Sequence, residues 1–137
     1  MIVYVDSSVI LRFVLKQADT LAEWKDIDEA VTSELTTVEC LRTIDRLRLS
    51  GYLDTARAER AFRETDAILS RMLHLRLHPA VLRLAREPIG VPLGTLDALH
   101  FATARIHREI NRSLVLATHD YELATAARAL GFATLGG

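Results

Sequence analysis

Apolar and polar positions along the chain follow two periods, one typical of buried strands and the other of amphipathic helices. Residues 2–5 form a short, β-branched and continuously apolar run, which is typical of a parallel strand covered on both faces. Further strands are predicted over residues 30–33, 72–77, 113–118 and 132–135. Helical spacing fills the segments between them, so the alternation predicts a three-layer α/β/α sandwich with a mostly parallel central sheet.

The segment after the first strand is predicted to be helical, with Ser7 or Ser8 as its N-cap. Its apolar side chains keep helical spacing at positions 9, 10, 13, 14, 21 and 24. Later helices are predicted over residues 79–86, from Thr95 as N-cap to about residue 107, and over residues 121–130.

Two of the predicted helices lie close together along the chain. The first opens at Thr36, where Glu39 completes a capping-box pattern. Gly51 is suited to end this helix, and Asp54 is suited to cap the next one. The short link predicts an antiparallel helix hairpin over residues 36–68.

Composition limits the function classes that need to be considered. The chain has 137 residues, of which 50% are hydrophobic and 26% charged, so we expect residues 1–137 to form a single domain. The net charge of -1 does not indicate nucleic-acid binding through a broad basic field. Cys40 is the only cysteine and lies on an apolar helical face, which predicts a buried thiol and excludes an internal disulfide. With no basic leader and no long apolar stretch, we expect a cytoplasmic protein without a membrane segment.

Four carboxylates fall at the same topological end of the predicted sheet. Asp6 ends the first strand, Asp120 closely follows the strand over residues 113–118, and Glu39 and Asp97 lie in first helical turns. Crossover helices start at the carboxyl ends of parallel strands, so all four are expected at one edge of the sheet. Buried carboxylates need a counter-charge, and no lysine is close in sequence. The spacing therefore predicts a pocket for Mg²⁺ or Mn²⁺.

Each acid also has an ordinary structural alternative. Asp6 and Asp120 are suited to be N-caps, Asp97 to complement a helix dipole, and Glu39 to complete a capping box. A binding module whose acids capture a partner's arginine is the non-enzymatic alternative. A haloacid-dehalogenase phosphatase would need a second aspartate where Ser8 stands, and a receiver domain would need a paired acid and a well-placed lysine.

The chain resembles the PIN-domain nucleases and, within them, the toxin half of VapBC toxin–antitoxin pairs. The likeness covers nearly the whole length through four short motifs in order, at residues 5–8, 33–39, 96–104 and 117–120. Two departures stand out: Leu96 occupies a position where an aromatic residue is common, and His119 separates Thr118 from Asp120. Neither departure removes an acid.

The resemblance implies a Mg²⁺-dependent endoribonuclease that hydrolyses RNA phosphodiester bonds with metal-activated water. Asp6 and Asp97 would contact the metal directly, with Ser8 and Thr118 as pocket hydroxyls. The implied catalytic and metal-binding quartet is Asp6, Glu39, Asp97 and Asp120. A PIN nuclease of RNA processing, outside any toxin–antitoxin pair, is the enzymatic alternative.

The resemblance also implies partners for this chain. A small VapB-like antitoxin is expected in the groove of the helix hairpin over residues 36–68, in some cases with an arginine reaching the acids. A homodimer is implied as well. Arg12, Arg42 and Arg46 are candidate contacts for RNA or for the antitoxin.

Overall fold

Five parallel strands form one central sheet in the computed structural model, which describes all residues from 1 to 137. Their order across the sheet is β3-β2-β1-β4-β5. The strands are β1 (Ile2–Val5), β2 (Glu29–Ser33), β3 (Leu73–Leu75), β4 (Val115–Ala117) and β5 (Thr134–Leu135). The predicted sheet is confirmed, and every strand pairing is parallel rather than most of them.

Six α-helices and a short 3₁₀ helix (Ala22–Asp26) connect the strands. The α-helices are α1 (Ser7–Val14), α2 (Glu34–Leu49), α3 (Thr55–Leu69), α4 (Pro79–Ala85), α5 (Thr95–Ile110) and α6 (Tyr121–Ala129). They cover both faces of the sheet, which confirms the three-layer sandwich.

Strand β1 shows how the two cores are divided. Val3 and Val5 point toward α1, α2 and α3, where they join a buried cluster that includes Cys40. Tyr4 points the opposite way and joins Phe101 and Leu123 in the cluster formed with α5 and α6. The alternation follows from the two-residue period of a strand.

Burial raises the pKa of the Cys40 thiol to about 12, with the charges of Glu39 and Asp6 adding to the effect, so the thiol is an inert core group.

Helix α1 differs from its prediction at both ends. Asp6 is the N-cap residue, while Ser7 and Ser8 already lie inside the helix. The helix ends at Val14, and Lys16 and Asp19 adopt left-handed φ angles of 56° and 57°. The predicted continuation of helical spacing to positions 21 and 24 was therefore wrong, because the reversed backbone breaks the helix before the 3₁₀ segment.

The predicted capping box at the start of α2 was also wrong. The helix begins at Glu34, and the Ser33 hydroxyl accepts a hydrogen bond of 3.1 Å from the backbone N–H of Leu35. Thr36 is buried, and its hydroxyl lies 2.7 Å from that of Thr32. Helix α5 also begins earlier than predicted, by one residue, because Gly94 rather than Thr95 is the N-cap.

The helix hairpin predicted over residues 36–68 is present as α2 and α3. Gly51 has a φ of +84°, which suits the expected glycine after a helix end. Asp54 caps α3 by accepting a 2.8 Å hydrogen bond from the backbone N–H of Arg57.

None of the helices combines the length and the apolar character that crossing a bilayer would require.

Candidate active site

Asp6 occupies the centre of the carboxyl edge, directly after the middle strand of the sheet. The side chain is buried, and its Oδ2 accepts hydrogen bonds from the Ser8 hydroxyl at 2.6 Å and the Thr118 hydroxyl at 2.7 Å. Its carboxylate makes no capping hydrogen bond to helix α1, although Asp6 stands at the N-cap position. The capping alternative therefore does not describe this side chain.

The two hydroxyls also connect Asp6 to the loop that follows β4. The Ser8 and Thr118 oxygens are 3.3 Å apart. The backbone N–H of His119 donates to the Ser8 oxygen at 2.9 Å, and that of Asp120 donates to the Thr118 oxygen at 3.0 Å. Both predicted pocket hydroxyls thus lie beside Asp6 and hold the β4 loop against it.

Asp120 does have the structural role that the capping alternative described. Its Oδ1 accepts a hydrogen bond of 2.8 Å from the backbone N–H of Leu123 and so caps helix α6. Oδ2 makes no hydrogen bond or ion pair within the chain and is available to a ligand. Capping and ligand binding are therefore compatible for this carboxylate.

Asp97 lies in the first turn of α5 and is half-buried. Burial raises the pKa of its carboxyl to about 6, and the charges of Asp120, Asp6 and Glu39 contribute in the same direction. Only His100 opposes them. Asp120, Asp6 and Glu39 are therefore close enough to Asp97 to interact with its charge, so the four predicted acids share one region at this edge of the sheet.

Glu39 reaches the site from the second turn of α2 and contacts an imidazole instead of a helix terminus. Its Oε1 makes a close hydrogen bond to Nε2 of His100, and the Nδ1 of the same ring lies 2.7 Å from the Tyr4 hydroxyl. His100 and Tyr4 are completely buried. Burial lowers the pKa of His100, but the hydrogen bond to Glu39 and the charge of Asp6 outweigh it, so the pKa is raised overall.

The donor set fits a hard divalent cation in its chemistry, because all four acids supply oxygen. No three histidine, cysteine, aspartate or glutamate side chains are arranged to coordinate a single ion together. Mg²⁺ usually keeps several waters and binds proteins through one or two carboxylates. A cation held here would thus contact few of the acids directly and reach the others through water.

The three predicted arginines lie in two different places. Arg42 and Arg46 line a cavity of about 260 Å³ together with Glu39, Ser7 and Leu96. The Arg42 guanidinium also donates to Asp45 at 3.1 Å. The guanidinium of Arg12 instead donates to the backbone carbonyl of Asp19 at 3.3 Å and is not among the side chains that line this cavity.

Similar proteins identify the family of this chain. The family model described as PIN domain matches residues 3–129. The chain belongs to the PIN-domain family. This PIN domain is 30% identical to "Ribonuclease VapC47" of Mycobacterium tuberculosis, with 96% of the chain and 94% of the relative covered. It is 31% identical to "Ribonuclease VapC46" of the same species, over 97% of the chain and 95% of the relative.

Solved structures share the fold of this PIN domain. A chain from "Toxin-antitoxin complex from Klebsiella pneumoniae" superimposes with a TM-score of 0.65 at 16% identity, covering 89% of this chain and 90% of that one. At this identity the match concerns the fold alone. The recognition of a VapC-type PIN domain from four sequence motifs is confirmed by the family and by its VapC relatives.

Two buried members of the PIN domain's site, Tyr4 and His100, were not predicted as functional residues. His100 forms two hydrogen bonds, one at each ring nitrogen. Spacing contained a signal for both residues. Tyr4 is two positions before Asp6 on the same strand face, and His100 is three positions after Asp97 on the same helix face.

Proposed function

We propose that this PIN domain is a metal-dependent endoribonuclease and the toxin component of a type II toxin–antitoxin system. The observation that carries the proposal is the uncompensated acidic edge. Asp6, Glu39, Asp97 and Asp120 share one region, and no lysine or arginine forms an ion pair with any of them. A divalent cation would supply the missing positive charge.

The chain's residues have separate roles in this proposal. Asp6 and Asp97 would hold the cation directly, and Glu39 and Asp120 would hold it through water molecules. When bound, the cation supplies a Lewis acid that lowers the pKa of attacking water and neutralises charge on the phosphate. Ser8 and Thr118 keep the Asp6 carboxylate in place through the two short hydrogen bonds to its Oδ2.

The substrate would be RNA bound locally, because the net charge of -1 provides no broad attraction for polyanions. Arg42 and Arg46 would contact backbone phosphates from the cavity beside Glu39. Arg12 lies outside this cavity, and its guanidinium donates to the backbone carbonyl of Asp19. Both VapC relatives are named as ribonucleases, which supports RNA as the substrate.

A small antitoxin would inhibit the enzyme from the groove of the α2–α3 hairpin. Support comes from the VapC names of the relatives and from a fold neighbour that was solved as a toxin–antitoxin complex. An antitoxin arginine entering the acidic edge would compensate the same charges as the cation and exclude it.

We propose in addition that the protein is cytoplasmic and forms a homodimer. Light scattering in solution would test the homodimer.

The decisive experiment measures cleavage of single-stranded RNA by purified protein in Mg²⁺ or Mn²⁺, and again in EDTA. We expect cleavage with either ion, none in EDTA, and recovery when excess Mg²⁺ is restored. Equal cleavage in EDTA would contradict the metal-dependent enzyme.

One observation favours a second function, a silent module that binds an arginine-bearing partner. No three of the acids converge on a single ion position. Such a module would show no cleavage under any metal condition. It would still bind a peptide with a terminal arginine and lose that binding in Asp6→Asn.

A further inference from the structure

A buried chain of hydrogen bonds joins the middle strand of the sheet to the acidic edge. Tyr4 on β1 contacts His100 on α5, and His100 contacts Glu39 on α2. The same Nε2 of His100 lies 3.8 Å from Oδ1 of Asp6. Three separate elements therefore meet at one imidazole.

We propose that Tyr4 and His100 are positioning residues, which fix the carboxylate of Glu39 for cation binding through a hydrogen-bond relay. The inference rests on the proposed function and extends it to two side chains that contact neither cation nor RNA. The relay consists of Tyr4, His100 and Glu39.

The geometry of the relay holds for both protonation states of the imidazole. A neutral ring receives the Tyr4 O–H at Nδ1, which leaves the hydrogen on Nε2 for donation to Glu39. A charged ring donates from both nitrogens and keeps the same two partners. The direction of the Nε2–H bond toward Glu39 is therefore constant.

Burial makes the relay rigid. The ring of His100 and the ring of Tyr4 have no exposed surface, so neither polar group can exchange its partner for water. The two rings also meet edge to face, with centroids 6.0 Å apart and an interplanar angle of 72°. Glu39 thus receives its hydrogen bond from a group that cannot rotate away.

Tyr4→Phe tests the relay with the smallest change, since it removes one buried oxygen. We expect binding of Mn²⁺ to the purified protein without RNA, measured calorimetrically, to weaken about 10-fold, the lower end of the usual effect of outer-shell changes, because Tyr4 acts on Glu39 only through His100. The value of kcat should fall with little change in KM for RNA. Tyr52→Phe removes a hydroxyl from a side chain that is 79% exposed, and it should behave as wild type.

Two amide substitutions at His100 separate positioning from plain structural support. The amide nitrogen of glutamine reaches about as far as Nε2, so His100→Gln keeps a donor for Glu39. The amide nitrogen of asparagine reaches about as far as Nδ1, so His100→Asn keeps a partner for Tyr4 and loses Glu39. We expect Mn²⁺ binding to be better preserved in His100→Gln, whereas a merely structural role would weaken both variants equally. These two variants also test the positioning role of His100 if Tyr4→Phe fails to fold.

The outcomes distinguish the relay from the proposed function. Wild-type protein that cleaves RNA and binds Mn²⁺, with Tyr4→Phe equal to it, would overturn the relay alone. Equal losses in His100→Gln and His100→Asn would do the same. Wild-type protein that neither binds Mn²⁺ nor cleaves RNA would overturn both proposals.

Discussion

Carboxylates occur in two contrasting settings in this protein, the outer face of the hairpin helix α2 and the carboxyl edge of the sheet. On the outer face, Asp45 accepts hydrogen bonds from Arg48 at 2.8 Å and from Arg42 at 3.1 Å. The hydrogen bond from Arg48 is the main reason that the pKa of Asp45 is lowered. At the edge, the pKa of Asp97 is raised to about 6 by burial and by three neighbouring acids.

The opposite pKa shifts of Asp45 and Asp97 distinguish surface charges that serve solubility from charges that form a site. The chain has 17 basic and 18 acidic residues, so there are enough cations to neutralise nearly every acid. None of the lysines or arginines is paired with the acids at the edge, where His100 is the sole ion-pair partner. Electrostatic repulsion is retained there, which is typical of functional sites.

The largest expected effect comes from removing a charge at the edge. Asp97→Asn and Asp6→Asn should each lower RNA cleavage about 10²–10³-fold, the usual loss when one preorganised electrostatic group is removed. Asp45→Asn is the matched control and should cleave normally, with only a slightly lower melting temperature. Undiminished cleavage by either edge variant would remove the functional distinction between the two settings. A clear loss of melting temperature in EDTA would instead make that acid a structural cap.

Adding the cation should stabilise the protein through the edge alone. Mg²⁺ at one hundred times its Kd should raise the free energy of unfolding by about 2.7 kcal/mol. Differential scanning fluorimetry with and without Mg²⁺ would measure this at a constant ionic strength. The rise should persist in Asp45→Asn and disappear in Asp97→Asn. A rise of the same size in Asp97→Asn would mean that the ion binds elsewhere.

Thr118→Val tests the hydroxyls that support Asp6. The change is nearly isosteric and removes the donor 2.7 Å from Oδ2 of a buried carboxylate. It should lower the free energy of unfolding by about 1–3 kcal/mol, because a buried acceptor loses a partner. Urea denaturation would measure it, with Thr125→Val on an exposed helix face as control. An effect no larger than that of the control would show that Ser8 alone satisfies Asp6.

The smallest effect concerns the dependence of stability on pH. The carboxyl of Asp97 has a pKa of about 6 in the folded protein against a usual 3.8, so the folded state holds its proton more tightly. The free energy of unfolding of metal-free protein should therefore decrease as pH rises from about 4 to about 6, and this decrease should be absent in Asp97→Asn. Discounted for half exposure, we expect about 1 kcal/mol. Urea denaturation in EDTA across this range would measure it, and a rise with pH would contradict the repulsion at the edge.

Much of the fold could be predicted because strand and helix periods are local properties. The apolar residues of β1 are contiguous, and Gly51 and Asp54, which mark the turn of the hairpin, lie close together in the sequence. Predictions of helix caps failed where the same residue types suit more than one local structure. Thr36 and Glu39 match a capping box, but α2 already begins at Glu34, and the two side chains contact Thr32 and His100 instead.

The order of residues alone determined the five parallel strands, the two-sided core and the presence of four acids near strand ends or helix starts, because periodicity and chain direction decide these features. Tertiary packing decided which acids keep a free carboxylate oxygen, which arginines line the cavity beside Glu39, and that Tyr4, His100 and Glu39 meet. Those contacts join residues 61 and 96 positions apart. No local pattern encodes a hydrogen bond between groups that only the assembled sheet brings within reach.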